Sequence, residues 1–530
     1  MLAERHSSRR QARLLACALL LFASAGSAAQ AKTTAPPRRT LSQRLETILR
    51  RSEARHGFWG IEVVQLPRGR RLYAREVDHL FLPASNMKLF TAAAALEKLG
   101  PDFVFRTTVE SPAAPDAAGR VGELVLVGRG DPNLGSRVLP YQVKTARQSP
   151  ADRVFLELAD QVKARGVREV SGDLIADDSY FLYEPYSHTW TLEDLVWGYG
   201  APVTALAFND NALLMRLRPA SRAGDPAQVS LDPVPDYYRL TNRLVTSAAG
   251  SEKQLWGERA PGSRDLALWG QIPVDNPEDG DAVAIENPPQ LVGELFRKAL
   301  EARSIAVRGS VVVRHFTPAE ASPDLQPSSP APARVVLAEH VSPPLREGLK
   351  VLNKVSQNLH AEMLLRTLGR EVKSSGSPTA GLEVLQEFTA QAGIAPEEFR
   401  FADGSGLSRE ALVAPHALIK LLEYMARSPR FGAFYDSLPV AGVDGTLAER
   451  FQGTRAEGRI HAKTGTLEHT NALSGYLDLP SGKRLAFSII GNSHLLKATD
   501  GAKLLDRLVL TIYEWYGRGP KPARKSKTSR

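Results

Sequence analysis

The order of element types along the chain restricts its fold more than any other feature. Residues 60–66 (GIEVVQL) have β composition, Pro67-Arg68-Gly69 reads as a turn, and Arg71-Leu72-Tyr73 continues as a second strand. The apolar stretch 81–100 (FLPASNMKLFTAAAALEKLG) then reads as a helix. Breaker-rich segments at 111–119 (SPAAPDAAG) and 322–334 (SPDLQPSSPAPAR) enclose short strands and turns, with strands at 121–128, 173–181 and 309–316. Long helical patterns follow at 345–369, 380–393 and 414–428, then strands at 465–479 and 484–491 and a final helix over 500–516. This order predicts one α/β domain split by an insertion. The two strands before residue 80 then join those after 465 in one mostly antiparallel sheet. Inside the insertion, 163–175 (KARGVREVSGDLI) and 301–313 (EARSIAVRGSVVV) both read as a helix end, a short strand, a glycine and another strand. They are candidates for a shared supersecondary unit.

The ends of the chain bound where it works. Arg9, Arg10 and Arg13 precede an apolar run over 14–26, and Ala29-Gln30-Ala31 has the small-x-small form of a signal cleavage site. The run is shorter than the ~20 apolar residues that span a bilayer. Residues 1–31 are therefore expected to be a signal peptide and 32–40 (KTTAPPRRT) a linker, with the mature protein periplasmic or otherwise extracytoplasmic. Cys17, the only cysteine, falls in that signal, so the mature chain has neither disulfides nor a thiol nucleophile. Of 67 basic and 58 acidic residues, the signal takes four Arg and one Glu and the tail 517–530 takes six basic side chains, which leaves 57 of each sign in the body. The basic tail is expected to be disordered and able to touch an anionic membrane or wall polymer. No basic stripe is interleaved with aromatics, which argues against nucleic acid. No His-x-x-x-His or His-Glu pair has metal spacing, so neither a metal nor an organic cofactor is expected. His360, His461 and His469 read as structural or rim residues.

Three short motifs carry the chemistry. Ser85-Asn86-Met87-Lys88 opens the apolar helix, Ser356-Gln357-Asn358 lies in VLNKVSQNLHAEMLL, and Lys463-Thr464-Gly465 lies in RIHAKTGTLEHTNALSGYL. Taken alone, Ser85 reads equally well as a helix cap and Lys88 as a solvated charge on a buried stem. The three in order favour chemistry. Positions i and i+3 of a helix are neighbours, so Ser85 Oγ and Lys88 Nζ come within hydrogen-bonding reach. In a crowded apolar site near a second cation such as Lys463, the amine gives up its proton more readily and can accept that of Ser85. Ser356 can relay the proton to a departing amine, and Asn358 can hold a substrate peptide bond. Lys463 and Thr464, on a strand bordering the cleft, can bind a terminal carboxylate, and Gly465 lets substrate backbone approach. The backbone N–H groups of Ser85 and Thr466 are the candidate oxyanion hole, assisted by the helix N-terminus.

This ordered set is that of penicillin-binding proteins and class A β-lactamases. The chain resembles the D-alanyl-D-alanine carboxypeptidase/endopeptidase family, the class C low-molecular-mass penicillin-binding proteins, at 82–90 (LPASNMKLF), 128–135 (GRGDPNLG), 171–181 (SGDLIADDSYF), 199–206 (YGAPVTAL), 403–409 (DGSGLSR), 441–450 (AGVDGTLAER) and 462–467 (AKTGTL). Ser356 follows Ser85 by 271 residues, and Lys463 follows Ser356 by 107, a spacing with room for the family's insert. Gln357 departs from the usual Asp or Asn, at a position that carries no assigned chemistry. The resemblance implies an α/β fold: a penicillin-binding/transpeptidase-like domain, mostly antiparallel sheet flanked by helices, split by a β-rich insertion of two small domains. Its parts are 41–108 and 335–516 for the catalytic domain and 109–334 for the insertion. It implies a serine DD-peptidase that cleaves D-Ala-D-Ala termini of peptidoglycan stem peptides through a Ser85 acyl-enzyme, with D-Ala cross-links as a second substrate and β-lactam antibiotics as inhibitors. Two other readings stay open. A serine β-lactamase needs a second base for fast deacylation, and none is evident. A non-catalytic wall-binding protein would need none of Ser85, Lys88, Ser356 and Lys463. Asp403 and Ser405 read as loop-shaping residues, Asp177 and Asp178 as turn or domain-contact residues, and Trp190 and Trp197 as packing within the insertion.

Overall fold

Alternation along the strand Phe58–Gln65 sends Trp59, Ile61 and Val63 into one apolar cluster and Val64 into another. Both faces of the sheet that contains it are therefore covered. The order of this five-stranded sheet is Ile460–Leu467, Thr470–Asp478, Arg484–Asn492, Phe58–Gln65, Arg70–Arg75, antiparallel throughout. The expected joining of the first strands to the last is thus observed. The helices Leu41–Leu49 and Ala498–Tyr516 cover one face through Leu45, Leu505 and Leu508. The helices Met87–Lys98 and Pro415–Arg427 cover the other through Phe90, Leu418 and Leu422.

The structure is a computed structural model and describes residues 39–50, 54–142, 147, 150–321 and 333–517. The expected signal 1–31, most of the linker, most of the segment 322–334 and the tail beyond 517 lie outside the described residues. All of this architecture belongs to the unit Leu41–Arg530.

Two expected elements are interrupted. The strand pattern at 465–479 is two strands that reverse at His469, whose φ is +56°. The first of them begins at Ile460, so Lys463 sits inside it. The helical pattern at 345–369 is broken at Ser356: a helix Leu345–Lys350 widens into a π-turn over Val351–Val355, and a new helix runs Asn358–Lys373. Ser356 itself is left-handed at φ +67°. Apolar periodicity continues across the break, which hides it from the sequence, and such wide turns recur at functional sites.

Between the strands Arg106–Ser111 and Val335–Val341, which pair antiparallel, the chain builds further sheets. A mixed five-stranded sheet has the order Val311–Phe316, Leu174–Leu182, Leu124–Val127, Arg106–Ser111, Val335–Val341. The two similar sequence units lie side by side: Val311 pairs with Leu174 in this sheet and Ala306 with Glu169 in a separate small three-stranded sheet, both parallel. A third copy without the helix pairs on the other side, Arg120 with Glu169 and Leu124 with Leu174. Beyond this sheet lie two three-stranded ones, built from residues 212–284. One cluster of apolar side chains underlies all of this, with the helices Arg153–Ala164 and Pro288–Ala302 contributing Phe155 and Phe296. Trp197 packs against it, as the sequence implied.

Phe296 is fully buried beside Phe155. Phe296→Ala is expected to cost about 3–5 kcal/mol, the usual loss for a large aromatic removed from a close-packed core. Denaturant unfolding monitored by fluorescence measures it.

Candidate active site

Ser85 lies in a single 3₁₀ turn, Ala84–Asn86, that leads into the helix Met87–Lys98. It is not a cap: the start of that helix has no side-chain cap bond. Lys88 is not a solvated charge either, because its side chain is fully buried. Its Nζ donates to Ser85 Oγ at 2.8 Å, Asn358 Oδ1 at 2.6 Å and the Ser405 carbonyl at 2.8 Å. All three donor sites of an ammonium are thus used. Burial pulls the Lys88 amine down to about 7, against the opposing pull of the Asp403 and Glu362 carboxylates. Of the two causes expected from sequence, the crowded apolar site, acting by desolvation, is the main one.

The left-handed Ser356 turns its hydroxyl toward the edge strand of the main sheet, where Lys463 Nζ donates to Ser356 Oγ at 2.8 Å and to the Thr464 carbonyl at 2.8 Å. Lys463 is also fully buried, and desolvation with the nearby Lys88 holds its amine well below the usual range. Thr464 Oγ1 donates to Thr446 Oγ1 at 2.8 Å. Ala462 N donates outward to the Pro439 carbonyl, so the alternation of an antiparallel edge also turns the N–H of Thr464 and Thr466 away from the sheet. Gly465 permits a different close approach from the expected one. A Cβ there would meet the Pro83 carbonyl at 2.7 Å and Asn86 Nδ2 at 2.8 Å, so its lack of a side chain lets the strand lie against the Ser85 turn. The motifs therefore converge: Ser85, Asn358 and Thr466 line one cleft of about 580 Å³ together with Tyr199, Asp194, Arg409 and His469.

Several supporting residues carry no motif. Glu362, one turn beyond Asn358, is buried and accepts the N–H of Gly404 at 2.9 Å and of Ser405 at 2.8 Å. It thereby fixes the carbonyl that holds Lys88. Burial and the neighbouring Asp403 push its carboxyl up to about 7, while Arg366 opposes. The only sequence signal for it was an acid on the apolar side of a helix. Asp403 does shape its loop, accepting from Gly406 N at 2.7 Å and Ser408 N at 2.8 Å. Gly406, at φ +77°, presses that loop on the Ser85 turn: a Cβ there would lie 1.9 Å from the Ala84 carbonyl.

The region between 106 and 341 also reaches the site. The Tyr199 carbonyl accepts from Asn358 Nδ2 at 2.8 Å, and Arg409 bonds Asp194 at 3.0 Å. Trp190 packs against Phe181 and Val203, as expected, and its indole N–H also donates to Asp403 at 3.0 Å. Asp178 accepts from Leu206 N at 3.0 Å and pairs with His315, a contact role as expected. His360 is structural, bonded to Asp210 at 3.0 Å, and His469 is a rim residue. His461 is on the strand of Lys463 and stacks on Tyr435. Among the described residues no cluster of His, Cys, Asp and Glu could hold a metal ion.

The sequence matches the D-Ala-D-Ala carboxypeptidase 3 (S13) family over residues 41–511. A D-alanyl-D-alanine carboxypeptidase of Actinomadura sp. (strain R39) is 37% identical over 98% of this chain and 93% of its own length. The D-alanyl-D-alanine carboxypeptidase DacB of Haemophilus influenzae is 26% identical over 77% of this chain and 79% of its own. The solved structure of penicillin binding protein 4 from Haemophilus influenzae superposes with a TM-score of 0.74 at 22% identity, covering 90% of this chain and 99% of that one.

If Lys88 takes the Ser85 proton it must be neutral to do so, and the amine is neutral above its own titration point. Acylation by a fluorescent penicillin should therefore rise about tenfold per pH unit at acid pH and level off above about 7. Glu362→Gln removes a carboxylate that favours the ammonium but is only partly ionised near 7, so the midpoint should move to lower pH by less than about one unit. Second-order labelling rates across the range measure both.

Proposed function

This chain belongs to the D-Ala-D-Ala carboxypeptidase 3 (S13) family of serine-type peptidases acting on peptidoglycan, and from that premise we propose that Ser85 is its acylated nucleophile and Lys88 the base. The observation that carries this reading is the fully buried Lys88 amine at 2.8 Å from Ser85 Oγ. Ser85 Oγ attacks the carbonyl carbon between the two terminal D-Ala residues of a stem peptide, and its proton passes to Lys88 Nζ. The N–H groups of Ser85 and Thr466 receive the oxyanion. Asn358 holds the substrate amide with the part of its side chain left over from Lys88 and Tyr199. Ser356 passes its hydroxyl proton to the departing amine of the terminal D-Ala and takes one from the Lys463 ammonium that donates to it. The acyl-enzyme then reacts with water, which releases the shortened peptide and restores Ser85: Lys88 returns its proton to Ser85 Oγ, and the attacking water re-protonates Lys463 through Ser356.

The hydroxyls of Thr464 and Thr466 meet the terminal carboxylate, with Lys463 behind them. A substrate anion arriving there favours the ammonium form of Lys463, so binding itself supplies the charge that burial suppresses. A β-lactam, which presents a strained amide and a carboxylate in similar relation, acylates Ser85 by the same steps. D-Ala cross-links to a diamino acid fit the same chemistry, since only the leaving amine changes. The division at 109 and 334, removal of residues 1–31 on export, and work in the periplasm or another extracytoplasmic space belong to this reading. No helix among the described residues is long and apolar enough to cross a membrane.

Release of D-Ala from a soluble pentapeptide ending in D-Ala-D-Ala tests it. Ser85→Ala should lose at least about 10⁴-fold in kcat/KM, and Lys88→Met a comparable factor, because members of a catalytic unit fail together. Turnover retained by well-folded Ser85→Ala would overturn the assignment.

A further inference from the structure

One sheet face has no partner within the fold. In the three-stranded sheet ordered Arg239–Ser247, Asp265–Pro273, Gln254–Glu258, Leu244, Leu266 and Leu268 point into the core. By alternation the opposite face carries Trp256 and Trp269, which are direct cross-strand partners. These two indoles are 47% and 36% exposed. Their Cβ atoms lie roughly 5 Å apart, as for any such pair. Arg243 is the register partner of Trp269 on the third strand, Val245 that of Gln271, and Gln271 that of Gln254. This face thus carries two indoles on neighbouring strands, with Arg243 and the amides of Gln254 and Gln271 at neighbouring register positions. Large exposed apolar groups in one patch mark a binding surface more often than a folding requirement.

The strand that carries Trp256 is tied to the rim of the cleft. Gln254 starts its strand just after Glu252, which bonds Lys497 of the cleft rim at 3.1 Å. Trp256 is four residues beyond Glu252, or roughly 13 Å at the rise of a strand. On the buried side of the same strand, a Cβ at Gly257 would touch Val196 and Trp197 at 3.2 and 3.3 Å. These belong to the segment that supplies Asp194 and Tyr199 to the cleft.

We propose that this face, centred on Trp256 and Trp269, binds the amino-sugar backbone of the polymer whose stem peptide enters the cleft. The inference rests on the reading of the cleft as a peptidoglycan peptidase. A pyranose ring has a face of C–H groups, which stacks on the negative face of an indole, and a rim of hydroxyls and acetamides. The amides of Gln254 and Gln271 and the guanidinium of Arg243 suit that rim. A stem peptide branches from its sugar backbone, so a strand held on this face presents its branches within reach of Ser85. A purely apolar protein partner would leave Arg243 and Gln254 without use, whereas Gln271 already donates its amide to the Glu252 carbonyl at 3.1 Å.

The test compares the mature protein with Trp256→Ala/Trp269→Ala. Co-sedimentation with insoluble cell-wall glycan stripped of its stem peptides should weaken about tenfold or more in the variant, as expected when two aromatic contacts go. Penicillin labelling and hydrolysis of a soluble pentapeptide should stay unchanged, which also shows that the variant is folded. In the native protein, a hexamer of β-1,4-linked N-acetylglucosamine should perturb tryptophan fluorescence saturably. Equal sedimentation of the two proteins, or no fluorescence response, would overturn the proposal. So would a native dimer in sedimentation velocity that the double substitution converts to monomer, because the face would then join two copies of this chain. Absence of penicillin labelling in the native protein would instead overturn the peptidase reading, whatever the glycan result.

Discussion

The site depends on one buried amine. Lys88 Nζ touches Ser85, Asn358 and the Ser405 carbonyl at once, with no exposure to solvent. Taking an ammonium out of water is expensive, and the cost falls when the group gives up its proton. Each contact comes from a different part of the chain: the 3₁₀ turn before the helix, the helix that starts after the Ser356 break, and the loop around Asp403. The fold can be read as the means of bringing these three together in a dry place. The five-stranded sheet supplies the wall, Gly465 and Gly406 let the strand and the loop close on the Ser85 turn, and Glu362 fixes the Ser405 carbonyl.

The region between 106 and 341 is tied into that arrangement. Three polar contacts cross to it near Ser85: Tyr199 to Asn358, Asp194 to Arg409 and Trp190 to Asp403. Each of these catalytic-side partners also holds or borders a reacting group, so displacement of the segment 190–200 would be felt at Asn358. A small apolar cluster, with Phe181 and Val203 from one side and Leu359 and Met363 from the other, reinforces the same junction.

Much of this was legible in the sequence. The order of element types gave the split α/β architecture, and the three motifs named side chains that meet, Lys88 with Ser85 and Asn358 and Lys463 with Ser356. What stayed hidden was what tertiary packing decides. The break at Ser356 lies inside a continuous apolar pattern, because a π-turn and one left-handed residue change no hydropathy. The reversal at His469 likewise has no glycine or proline to mark it. Glu362 reads as an ordinary helix acid until its two backbone donors, 42 and 43 residues away, are seen. Trp190 packs as the sequence implied, but the acceptor that its indole N–H needs, Asp403, lies 213 residues away and is visible only in the fold.

The most direct test of the central claim is where a penicillin attaches. The native protein should gain the mass of one intact penicillin, since the acylating ring opens without losing atoms, and peptide mapping should place that mass on the fragment containing Ser85. Lys88→Met, which keeps the buried volume but removes the amine, should abolish the adduct. An adduct on any other serine, or undiminished labelling of the Lys88→Met protein, would contradict the account.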